Sequence, residues 1–101
     1  MEDNQEFLQQ ALSKNWGLIA EPAFTMEDLH AALSVRIREM LQEDLHGLVQ
    51  TMYRLDIDEH KFHLAMAKPG LELQARTLTD LIIERELQRI KFRQQYRNNQ
   101  N

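Results

Sequence analysis

Residues 71–97 read LELQARTLTDLIIERELQRIKFRQQYR, and this stretch decides the fold. No glycine or proline interrupts it, and Leu, Glu, Gln and Arg, all good helix formers, fill most of it. A helix of that length, rising 1.5 Å per residue, reaches about 40 Å. On its wheel Leu71, Ala75, Leu78 and Ile82 share one face, while Leu73, Ile83, Leu87 and Ile90 share another. A surface helix ordinarily carries one apolar stripe, so two stripes call for two partners.

Working back along the chain, Lys68-Pro69-Gly70 separates this helix from a short one expected over about 58–67. Asp58 is its N-cap, Glu59 suits the positive end of its dipole, and Ile57 pairs with Phe62 as a hydrophobic staple. A second long helix is expected from Thr25 to about Tyr53, with Thr25 as N-cap and Asp28 at the third helical position. Its stripe runs through Leu29, Leu33, Ile37, Met40, Leu41, Leu48 and Met52. Gly47 is its weak point, costing on the order of 1 kcal/mol against Ala unless something packs closely there. The first helix covers about 4–15, with Leu8, Ala11, Leu12 and Trp16 at helical spacing and Gly17 as its stop. Residues 17–24, with Glu21 before Pro22, form a connector. The brief alternation from Met52 to Ile57 has no pairing candidate and reads as a bend. The expected fold is all-α, a small helical bundle of two long and two short helices. Residues 1–97 form one helical domain and 98–101 a polar, frayed tail.

The 101 residues suffice for one domain and not two. The absence of cysteine excludes disulfide frameworks and thiolate chemistry and fits a reducing compartment. The start, Met1-Glu2-Asp3-Asn4-Gln5-Glu6, is acidic where a secretory signal is basic, and the longest aliphatic run is Leu81-Ile82-Ile83. A cytoplasmic protein with no membrane partner is expected. The net charge of −4 is divided: residues 1–60 hold twelve acids against four bases, and residues 61–101 hold eight bases against four acids.

The two short helices cover only part of the remaining apolar surface. Ile83, Leu87 and Ile90 are therefore expected to form a homodimer interface, each forgoing roughly 1.5–3 kcal/mol if left wet. Arg85, Arg89, Arg93 and Arg97 recur every four residues as a ladder. Like charges at that spacing oppose an isolated helix, which leaves three readings: a solvated face, pairing with acids, or contact with an anion such as a phosphate backbone.

Other chemistry is sparse. His60 and His63 are weak metal candidates at a three-residue spacing, without the Glu of the His-Glu-x-x-His motif. The Asp56-x-Asp58 pair lacks the glycine and glutamate of a calcium loop. Neither Ser13 nor Ser34 sits in a glycine-flanked turn, and the seven aromatic residues are read as lacking the interleaving with basic ones that single-strand binding uses. No enzymatic activity and no cofactor are expected. Arg54 and Glu84 are expected to meet near the core as a structural polar pair if the long helices run antiparallel.

The segments Tyr53-Arg54-Leu55-Asp56-Ile57-Asp58-Glu59 and Leu81-Ile82-Ile83-Glu84-Arg85-Glu86-Leu87-Gln88 resemble a group of small uncharacterised bacterial all-helical proteins. The resemblance implies a bacterial, cytoplasmic, all-helical protein and carries no activity, cofactor or catalytic residue. The functional expectation is a non-enzymatic helical protein–protein interaction module, homodimeric through its C-terminal helix. The alternative is weak nucleic-acid binding through the arginine ladder.

Overall fold

A computed structural model describes residues 4–19 and 24–99. The acidic start at residues 1–3, the Glu21-Pro22 part of the connector and the last two tail residues lie outside the described residues. Five α-helices, with no strand among the described residues, make the fold: α1 (Asn4–Trp16), α2 (Met26–Glu43), α3 (Leu45–Arg54), α4 (Glu59–Met66) and α5 (Leu71–Asn99).

Five helices replace the expected four because the second long helix breaks at Asp44. This residue ends α2, its N–H reaching the Met40 carbonyl, and begins α3, its carboxylate accepting from Gly47 N–H at 3.0 Å. A Cβ at Gly47 would lie 2.3 Å from the Asp44 carboxylate. The glycine thus makes room for a cap at a new helix start; it is not a flaw inside a continuous helix. At the other end α5 continues two residues past the expected 97, to Asn99.

The remaining helix ends follow local chemistry. Thr25 Oγ1 accepts from Asp28 N–H and the Asp28 carboxylate accepts from Thr25 N–H, the reciprocal capping box. Asp58 caps α4 by accepting from Lys61 N–H at 3.1 Å. That bond holds the Asp58 carboxyl below the ordinary aspartate value; slight desolvation opposes it, and the His60 N–H and the charges of Lys61 and His60 reinforce it. Between α3 and α4, Asp56 adopts a left-handed φ of 58°. Asp56 N–H bonds Tyr53 O and Ile57 N–H bonds Met52 O, the pair of bonds that closes a helix in a Schellman turn. The expected bend is this turn. Gln74 Nε2 donates to the Met66 and Lys68 carbonyls, tying the end of α4 to α5.

α5 is the axis of the molecule, its 29 residues spanning about 43 Å along a body 47 Å long. α2 lies antiparallel to it, with His30 at 2.5 Å from Asp80 and Arg38 at 2.7 Å from Glu72. On the first stripe of α5, Ala75, Leu78 and Ile82 are fully buried in one cluster with Leu29, Leu33 and Ile37 of α2. α4 also packs on α5, and α3 on α2.

The second stripe departs from expectation. Ile83 and Ile90 are buried within the single chain, and Leu87 packs against the same core. Leu73, by contrast, is 41% exposed. The cover for the stripe is α1, which runs antiparallel to the C-terminal half of α5, Asn4 meeting Gln94 at one end and Asn15 meeting Glu86 at the other. Its Leu8, Leu12 and Trp16 are all buried. The premise for a dimer through Ile83, Leu87 and Ile90 is therefore removed: a thirteen-residue helix suffices to fill that side. Arg36 Nε donates to the Trp16 carbonyl at 3.0 Å, fastening the end of α1 to α2.

Candidate functional site

Where α1 lies along α5, the two helices leave an open groove of about 250 Å³. Phe7, Ala11 and Ile90 give it an apolar lining, and Lys14, Arg89, Arg93 and Arg97 bring four cations to it. Glu86 is the one acid in that lining among the described residues. Three of the four arginines of the ladder thus converge with a lysine from a distant part of the chain.

Glu86 organises the groove. Its side chain is 1% exposed, and its carboxylate accepts from Asn15 Nδ2 at 2.8 Å and faces Arg89 Nη1 at 3.5 Å. A buried carboxylate is costly unless it is paired and hydrogen-bonded, so these contacts fix both partners. Asn15 locks α1 onto α5, and Arg89 is held at the groove. Arg93 and Lys14, both exposed, have no ion pair among the described residues.

Arg85 has another task. Its Nε donates to the Leu55 carbonyl at 2.9 Å, and its Nη2 lies 3.9 Å from Asp56. It places a cation at the C-terminus of α3, where the helix dipole favours one, and supports the left-handed Asp56. Of the anion-contact candidates, Arg89, Arg93 and Arg97 line the groove and Arg85 braces the turn.

Beside the ladder stand two exposed aromatic residues, Phe92 at 70% and Tyr96 at 61%. Helical geometry puts them one turn apart on the strip next to Arg89 and Arg93. They correct the expectation that aromatic and basic residues do not interleave. In Lys91-Phe92-Arg93-Gln94-Gln95-Tyr96-Arg97 the alternation is legible in the sequence itself.

The other candidates do not assemble. Arg54 and Glu84 are both exposed, and no ion pair joins them among the described residues. The turn that follows Arg54 is held by Arg85, one residue after Glu84. His60 and His63 are exposed on α4, with His63 Nε2 at 3.6 Å from Glu59. Among the described residues no three His, Cys, Asp or Glu side chains come together in a metal-holding group, and no helix is long and apolar enough to cross a membrane.

Compared with protein-family models, curated proteins and solved structures, the chain matches none.

Proposed function

We propose that this chain is a non-enzymatic interaction module whose working surface is the C-terminal half of α5 and the groove it forms with α1, and whose partner is anionic. The observation that supports this reading is the gathering of Lys14, Arg89, Arg93 and Arg97 along one groove of a chain whose net charge is −4. A surface charge ladder needs no such company from another helix, and screening leaves separated surface charges little mutual effect. Four cations against the single acid Glu86 leave the groove net positive, opposite in sign to the whole chain, which is what concentrates an anionic partner. From residue 87 onward the chain carries no acid at all, so nothing on that segment offsets the field.

Retention on a sulfated polyanion matrix at low salt tests the reading. A chain of this net charge is expected to be retained through the groove, and a Lys14→Glu/Arg93→Glu variant to flow through with its helical circular-dichroism signal intact. Equal elution of the two proteins would refute the groove as the contact surface.

A further inference from the structure

We infer that the anionic partner is a single-stranded nucleic acid, laid along α5 with its phosphates on Arg89, Arg93 and Lys14 and its bases against Phe92 and Tyr96. The inference rests on the reading of the groove as an anion-binding surface and adds the class of ligand. Two features of the surface select that class.

First, Phe92 and Tyr96 are the exposed large apolar side chains among the described residues of this part of the helix. Phe92 and Tyr96 stand 70% and 61% exposed, one helical turn apart, about 6 Å along the axis. A specific protein interface buries on the order of 800 Å² per partner. Two rings, burying roughly 150–250 Å² each, fall well short of that area. They do make a stacking platform, because every base offers a π-face and stacking tolerates any sequence.

Second, the cations run parallel to the rings. Arg89 and Arg93 follow the same four-residue step as Phe92 and Tyr96, so a strand tracking the helix meets a cation and a ring at each turn. Lys14, from α1, widens the charged track on the groove side. Bases stacked inside a duplex hide their faces from rings on a convex helix, so a duplex gains from the cations alone. A polypeptide rich in Asp and Glu likewise uses the cations and leaves the rings idle.

The test is fluorescence anisotropy with a labelled oligothymidylate of about 12 nucleotides, a length one small site covers. The same strand annealed to its complement and a labelled polyglutamate of matching charge serve as competing probes. The full chain is expected to bind the single strand more tightly than either of the others. Its affinity should fall with salt at a log–log slope of roughly −2, from about −0.7 for each of three phosphates neutralised. Phe92→Ala and Tyr96→Ala are each expected to weaken single-strand binding about tenfold and to leave polyglutamate binding unchanged. Arg93→Glu is expected to weaken both. Equal affinity for all three probes, or indifference to the loss of both rings, overturns the nucleic-acid assignment and leaves the anionic module standing. Failure to bind any probe, together with failure to be retained on the polyanion matrix, overturns both.

Discussion

From Ala75 to Ile82 the last helix is locked between α2 and α4, and from Arg89 to Tyr96 it is covered on one side and open on the other. Both halves carry apolar residues, Ala75, Leu78 and Ile82 in the first and Ile90, Phe92 and Tyr96 in the second. What differs is the number of faces that find a partner. In the first half Ala75, Leu78, Thr79 and Ile82 are all fully buried, the Thr79 hydroxyl donating to the Ala75 carbonyl. In the second, Ile90 is buried beneath α1 while Phe92 and Tyr96, two and six residues on, remain in solvent. A helix long enough to serve as the spine of a small protein thus outruns its own core and presents its far end as a surface.

That contrast can be broken at either end, and the largest effect belongs to the locked half. Leu78→Ala is expected to cost about 3 kcal/mol in urea unfolding, because a fully buried leucine leaves both lost transfer energy and a cavity. The melting temperature should fall by roughly 15 °C. Next comes the joint between the halves. Glu86→Ala is expected to cost about 2 kcal/mol, since it strips Asn15 and Arg89 of their shared acceptor. Glu86→Gln, which keeps an acceptor for Asn15, should cost about half as much by the same chemical denaturation.

At the α2–α3 break the expected effects are near 1 kcal/mol and non-additive. Asp44→Ala should lose about that much through the missing cap. Gly47→Ala should be destabilising or neutral in the native background, where the new methyl displaces the Asp44 carboxylate, but stabilising by about 1 kcal/mol beside Asp44→Ala. Additive values would mean that Gly47 is not kept small by the cap. In the open half, Phe92→Ala/Tyr96→Ala should change stability by no more than about 0.5 kcal/mol, as exposed side chains do.

The smallest effect is the acid dependence of the α4 cap. The folded Asp58 carboxyl titrates below its unfolded value, so its contribution is full above the ordinary aspartate range and is lost as pH falls through the folded value. Asp58→Asn should therefore melt slightly below the native chain at neutral pH, with the gap closing in acid.

The parts of this contrast legible in the sequence are those that local chemistry dictates. The capping box at Thr25, the cap at Asp58 and the uninterrupted run of α5 each rest on residues within a few positions of one another. The break at Asp44 was equally local, an Asp three residues ahead of a Gly, but Gly47 also reads as a tolerated defect within an apolar stripe. The covering of Ile83 and Ile90 by α1 is different in kind. Nothing in thirteen amphipathic residues says which of two stripes, some seventy positions away, they will fill. Arg85 illustrates the same limit: its spacing makes it a rung of the ladder, and only the fold turns it toward the Leu55 carbonyl. The convergence of Lys14 with the ladder is likewise tertiary. The aromatic alternation beside it is not; Phe92 and Tyr96 signal it in the chain itself.

The division of α5 into a core half and a contact half is tested most directly by an amide chemical-shift titration of the full chain with the oligothymidylate. Perturbations are expected at residues 89–97 and around Lys14, with residues 71–82 unmoved. Shifts concentrated on α2 and α3, or none along 89–97 at saturating strand, would contradict that division of labour.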